Sequence, residues 1–267
     1  NACPLCGPRV QLLGCEGEPL EADDPIGFAA RALAAGLIVA VKGLGGFHLA
    51  CDATASDAVR RLRVRKRRDE KPFAVMVRDL GEAELLATIG DEERRLLASR
   101  ERPIVLVRRR DGCNLASDVS PGSPLVGLML AYTPLHHLLL ADADVPLVMT
   151  SGNMSEEPIA YKDDDALCRL GKIAEYFLVH DREIHMRCDD SVARTIGKQE
   201  GFIRRSRGYV PQPISVAVSF VQPVLACGAH LKNTFCLGKE RHAFMSHHIG
   251  DLENYETWDS FTKGIEH

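Results

Sequence analysis

The chain has 267 residues, 45% of them apolar and 26% charged, a composition that excludes a disordered tail and leaves enough apolar material for a core of ordinary size. The apolar stretch over residues 125–141 is interrupted by Tyr132, Thr133, Pro134, His136 and His137, which makes it too short and too polar to span a bilayer, and no secretory segment opens the chain. Thirty-three basic against 37 acidic side chains give a net charge of -4, so bulk charge does not recruit nucleic acid, and any basic site must be local.

In chain order the first feature is Cys3-Pro4-Leu5-Cys6-Gly7. Two thiolates at this spacing grip one face of a tetrahedral zinc, and the glycine permits a tight turn. No second C-x-x-C follows, so the pair is either half of a zinc module or a plain terminal turn. The other cysteines of the nine stand singly, as expected of buried thiols in a reducing compartment rather than a disulfide framework.

Asp24-Pro25 predicts a capped helix start, with Ile26, Ala29, Ala30, Leu33 and Ala34 on one stripe and Gly36 as its end. Residues 37–41 read as a central strand buried on both faces, and residues 42–49 as a glycine-containing turn. A helix over 57–66, a strand over 73–77, two helical pieces divided at Gly90 and a strand over 103–107 come next. A long polar loop covers 108–124, and Thr133-Pro134 starts a short helix. Residues 146–149 form a short buried strand running into Thr150-Ser151-Gly152-Asn153, small polar residues at a strand end, where α/β proteins place ligand contacts. A helix from Asp163 and strands over 176–179 and 191–196 complete an α/β pattern. Pro211-Gln212-Pro213 marks a boundary, after which 223–228 reads as the first strand and turn of another unit.

Eight of the twelve residues from Arg60 to Lys71 are basic. The run ends against a strand, where Lys66, Arg68 and Lys71 can collect around a triphosphate. A nucleic-acid backbone is the competing ligand, but no aromatic residues interleave with the cations to stack on bases. A second basic set, Arg204, Arg205 and Arg207, precedes the boundary. Asp189 and Asp190 either hold Mg²⁺ on a nucleotide or cap a turn. There is no phosphate loop of the Gly-x-x-x-x-Gly-Lys type and no nucleophile elbow.

Longer segments carry a resemblance. CPLCGPR at 3–9, RKRRDEKPFAVM at 65–76, MTSGNMSEEPI at 149–159, HDREIHMRCDDSV at 180–192, RRSRGYVPQPI at 204–214, LKNTFCL at 231–237 and HIGDLEN at 248–254 stand in the order seen in the hydrogenase maturation carbamoyltransferases, the HypF family, with His230 and His247 as small departures. The resemblance spans essentially the whole chain. It implies an internal fragment with three parts: residues 1–13 as the remnant of a zinc-knuckle region, 14–214 as a YrdC-like nucleotide-binding domain, and 215–267 as the truncated start of a carbamoyl-transfer domain. The implied fold is a twisted mixed sheet with flanking helices and short remnants of neighbouring domains at both ends.

The implied activity is cytoplasmic and ATP-dependent: carbamate derived from carbamoyl phosphate is converted to carbamoyl adenylate, for transfer to the C-terminal cysteine of a HypE-type acceptor protein. By the same resemblance Lys66, Arg68, Lys71 and Arg205 are the catalytic cations. Ser151, Asn153, Asp190, Ser191, Arg204 and Arg205 complete the ATP and Mg²⁺ contacts, and Cys3 and Cys6 are zinc ligands of the longer protein. A threonylcarbamoyl adenylate synthase is the alternative in the same class. It would carry Pro-Thr-[Asp/Glu]-Thr-x-Tyr-Gly-Leu where this chain has Lys42-Gly43-Leu44-Gly45-Gly46-Phe47-His48-Leu49, which argues against threonine as substrate. An RNA-binding module is the alternative from another class.

Overall fold

The computed structural model describes residues 3, 6–154, 157–197 and 199–267. Pro4 and Leu5 of the cysteine knuckle, and Ser155 and Glu156 of the MTSGNMSEEPI segment, lie outside the described residues.

Strands β1 (Val10–Gly14) and β2 (Pro19–Leu20) form an antiparallel hairpin. Helix α1 (Pro25–Ala34) starts as the sequence predicts: Gly27 N donates to Asp24 Oδ1 at 3.0 Å, and Pro25 occupies the first turn, where it has no donor to lose. Strand β3 (Val39–Lys42) follows, and β4 (Phe47–Asp52) folds back on it antiparallel. The expected turn over 42–49 is thus confined to 43–46. All six residues of β4 are buried, so the strand has no polar–apolar alternation to betray it beside a run of glycines.

Next come α2 (Ser56–Lys66), β5 (Ala74–Val77), α3 (Leu80–Leu86), β6 (Ala87–Thr88), α4 (Asp91–Ala98) and β7 (Ile104–Arg109). The division at Gly90 is where the sequence puts it, with Gly90 capping α4. Strand β8 (Leu125–Leu130) and helix α5 (Pro134–Ala143) share the long apolar stretch. Thr133 caps α5 by accepting from His136 N at 3.1 Å. The remaining elements of this part are β9 (Leu147–Ser151), α6 (Asp163–Leu170), β10 (Tyr176–His180), β11 (Val192–Ile196) and β12 (Gln199–Arg204).

These strands make one mixed sheet in the order β12-β11-β7-β8-β5-β9-β4-β3-β10-β1-β2, with β6 pairing on β7. The pairs β5–β8, β7–β11 and β3–β10 are parallel and the rest antiparallel. Residues of α1 and α5 pack in one core on one face; α2, α3, α4 and α6 supply the core on the other. Beyond the sheet, β13 (Ile214–Cys227) and β14 (Phe235–Met245) pair, among the described residues, only with each other, and α7 (Tyr255–Glu266) ends the chain, capped by Asn254. Among the described residues no helix is long and apolar enough to cross a membrane.

This topology brings distant segments together. Strand β9 lies against β4, which places the turn at 43–46 beside residues 151–153, and the C-terminal end of α2 reaches the same place.

Candidate anion-binding site

Helix α2 sets its last turn by the phase of its core stripe. Val59, Leu62, Arg63 and Lys66 recur at helical spacing and all four are buried, two apolar and two cationic. Lys66 is fully buried, and its Nζ donates to Ser151 O at 2.6 Å, to Asn153 O at 2.5 Å and to Asn153 Oδ1 at 2.5 Å. Burial, with Arg68 and Arg169 nearby, holds its pKa well below the usual lysine value, while Asp189 and Glu157 oppose that shift. Ser151 Oγ donates to Asn153 Oδ1 at 2.7 Å, and Asn153 Nδ2 to Glu157 O at 2.5 Å. Gly152 between them has no room for a side chain, since a Cβ there would stand 2.7 Å from Phe47 O. Sequence reasoning picked out Lys66, Ser151 and Asn153 separately. The structure brings them into direct contact.

After Lys66 the chain turns through the left-handed Arg67 into an exposed basic loop. Arg63 organises that loop, a role the sequence reading missed. Its guanidinium donates to Asp118 O at 2.6 Å, Arg68 O at 2.8 Å, and Asp69 O, Lys71 O and Val119 O at 3.2 Å each, and it lies 4.4 Å above the Phe73 ring. The available signal was its place in the apolar stripe of α2, where a solvated cation would not sit. Arg68 donates to Lys71 O and Pro72 O at 3.1 and 2.9 Å. Burial, then Arg63 and Arg204, push its pKa down to about 10. The Lys71 side chain is exposed. Arg204, at the end of β12, is half-buried and near enough for its charge to act on Arg68 and His248. Arg205 Nη2 donates to Tyr209 O and Gln212 O at 2.9 and 3.0 Å, whereas its Nη1 is buried without a hydrogen-bond partner.

Asp190 and Ser191 are engaged differently. Arg207 Nε donates to Asp190 Oδ1 at 2.6 Å, and Asp190 Oδ2 lies 2.9 Å from His48 Nε2. Burial alone would raise this carboxyl's pKa, but Arg207 and His48 pull it well below the usual carboxylate range. The Arg207 guanidinium also stacks 3.6 Å above the Tyr132 ring, and His136 packs edge-on to Tyr132. Ser191 Oγ donates to Arg207 O at 2.9 Å and accepts from Ser206 N at 2.7 Å. With both oxygens of Asp190 taken, this residue does not fit a Mg²⁺ ligand. His48 was overlooked because it sits in the segment read as a turn.

Cys3 and Cys6 are exposed, and Gly7 N donates to Cys3 O at 2.7 Å. Among the described residues no three His, Cys, Asp or Glu side chains are grouped to hold a metal ion. Two thiolates fill half of a tetrahedral zinc site, so the described residues do not fit zinc by themselves. The Cys188 thiol is pushed up to about 11 by burial, which keeps it protonated and unsuited as a nucleophile.

Arg68, close enough to Arg204 and to Lys66 for their charges to act on one another, beside a Ser-Gly-Asn turn pinned by Lys66, suits a polyanion better than a nucleophilic reaction. The Sua5–YciO–YrdC model, described as "Telomere recombination", matches residues 31–206, and the HypF Kae1-like domain model matches 220–267. The chain belongs to this family, and to its HypF members. It is 46% identical over 247 residues to carbamoyltransferase HypF of Synechocystis, covering 92% of this chain and 32% of that protein. A crystal structure of full-length HypF in the phosphate- and nucleotide-bound form superposes with a TM-score of 0.94 at 46% identity, over 100% of this chain and 35% of that one. Human threonylcarbamoyl-AMP synthase is 31% identical over 130 residues, covering 48% of this chain and 46% of that protein. The chain thus spans about a third of the length of the HypF relatives.

Proposed function

We propose that this chain forms carbamoyl adenylate from ATP and carbamate. This is the first half of an ATP-dependent carbamoyl transfer that starts from carbamoyl phosphate and ends, in the cytoplasm, on the C-terminal cysteine of a HypE-type acceptor. The observation that carries the reading is the contact of Lys66 with Ser151 and Asn153 beneath the rim of Arg68 and Arg204, in a chain of net charge -4. Residues 14–214 form the adenylating unit in this reading, between a zinc-knuckle remnant at 1–13 and the opening of the transfer unit at 215–267.

In the reaction a carbamate oxygen attacks the α-phosphorus of ATP and the bond to pyrophosphate breaks. Arg68, Lys71, Arg204 and Arg205 bind the phosphates and offset the charge that develops on the leaving group. Lys66 keeps Ser151 and Asn153 aimed at the nucleotide. Asp190 and Ser191 serve through the backbone they hold. No side-chain nucleophile takes part, in keeping with the buried, protonated Cys188. Mg²⁺ would arrive with the nucleotide, since Asp190 is already committed.

The test is pyrophosphate exchange into ATP. Bicarbonate with ammonia, which supplies carbamate, is expected to stimulate exchange, and threonine is not. Strong threonine-dependent exchange would move the assignment to threonylcarbamoyl adenylate synthesis. Salt-dependent RNA binding without nucleotide turnover would move it to a nucleic-acid module.

A further inference from the structure

Four consecutive residues connect the basic site with the C-terminal segment. Arg187 is 7% exposed; its Nε donates to Ser260 Oγ on α7 at 2.7 Å and its Nη2 to Ile249 O at 2.9 Å. Cys188 N donates to Gly45 O at 2.9 Å, and a side chain at Gly45 would collide with Cys188 O, so this strand of backbone lies directly on the 43–46 turn. Asp189 O accepts from Arg207 N at 3.0 Å, and the Asp189 carboxylate lies close enough to Lys66, Arg187, His247 and His248 to act on the charge of each. Asp190 ties the same strap to His48 on β4 and to Arg207. Reading along the strap, successive residues touch the C-terminal segment, the glycine turn, the Lys66 surroundings and the buried His48 network.

We infer that Arg187 is a positioning residue through which the docked C-terminal segment presets the strap at 187–190, and with it the glycine turn and the Lys66 end of the nucleotide site. Arg187 touches no residue of the basic loop in any hydrogen bond described above, so its influence runs through Cys188 and Asp189. A guanidinium offers two donors in a fixed fork, which sets the direction of the backbone that carries it, and an ammonium does not. Because Arg187 is buried, removal of an acceptor leaves a donor that water cannot easily reach, and the strap shifts to find one. The simpler role, a contact that only fastens α7, would leave the turn at 43–46 indifferent to Ser260.

The effect on ATP rests on the proposed adenylate chemistry, so the experiment has one arm that does not use it. In the full chain, amide hydrogen exchange is compared for the parent, Ser260→Ala, Ser260→Thr and Arg187→Lys. Ser260→Ala and Arg187→Lys are expected to speed exchange at the amides of Cys188 and Gly43 by about tenfold, leaving β8 unchanged, with Ser260→Thr restoring parent protection. In the second arm, carbamate-dependent pyrophosphate exchange is expected to show a KM for ATP raised several-fold by Ser260→Ala and restored by Ser260→Thr, with kcat nearly constant. Faster amide exchange confined to α7, with Cys188 and Gly43 as protected as in the parent, overturns the inference. Loosening of the strap by Ser260→Ala and Arg187→Lys, together with a parent chain that shows no ATP turnover, overturns the adenylate reading instead and leaves the role of Arg187 standing.

Discussion

Two charged regions of this molecule look alike in sequence and are opposite in structure. The loop after Lys66 concentrates cations whose donors mostly meet backbone carbonyls, so their positive charge is not cancelled. The network around Asp190 and Arg207 pairs its charges with one another: Asp190 faces Arg207 and His48, and Arg207 stacks on Tyr132. Carbonyl oxygens order a cation without neutralising it, whereas a buried carboxylate does both. In the proposed reading the first region attracts an anion, and the second holds the wall beside it in shape.

The largest expected effect comes from breaking the second region. Asp190→Asn keeps the shape but leaves Arg207 buried without a counter-charge, which should cost roughly 3–5 kcal/mol of stability, read by urea unfolding at pH 7. The folded Asp190 pKa is depressed, so its contribution is fully present above the unfolded carboxylate value of about 4 and is lost as pH falls below it. The gap between parent and variant should accordingly stay constant from pH 7 to about 5 and close in stronger acid. His136, whose pKa burial pushes down to about 3, gives both proteins a further acid loss that starts near 6.5 and cancels in the difference. A gap of under about 1 kcal/mol would mean that the pair is not what holds this wall.

The two regions were not equally legible. Helix starts at Asp24-Pro25 and Thr133-Pro134 could be read because capping is decided within a few residues. Strand β4 could not, because a strand buried on both sides has no period, and its pairing with β9 is settled a hundred residues away. The charge on Lys66 and Arg68 was visible in composition, but the contact of Lys66 with Asn153 joins residues 87 apart, which local physics does not predict. Motif resemblance assigned both residues to the nucleotide without implying that they touch. The pairing of Asp190 was hidden for the same reason: its partner His48 lies 142 residues earlier, in a segment whose glycines suggested a turn.

A smaller effect should come from the first region. Lys66→Met keeps the length of the side chain and removes the three donated hydrogen bonds. By calorimetry, ATP affinity is expected to fall by about 2–3 kcal/mol, and by about 1–2 kcal/mol for Arg68→Ala. Unchanged ATP affinity in the double variant would erase the contrast between an anion-facing region and a self-paired one.

The smallest effect belongs to Lys71, and it sharpens the comparison because it separates charge from architecture. Its carbonyl accepts from Arg63 and Arg68, so the loop is held through the backbone whatever side chain stands there. Its ammonium is exposed, where water and salt screen it. Lys71→Ala should leave stability unchanged and weaken ATP by less than about 1 kcal/mol at low ionic strength, with the difference vanishing as salt is raised. Calorimetry at two salt concentrations measures this directly. A loss that persists in high salt would mean that Lys71 folds inward onto the phosphates when nucleotide binds, making the loop a closing element instead of a preformed rim. A loss of stability would mean that the side chain, and not only its carbonyl, is part of what Arg63 organises.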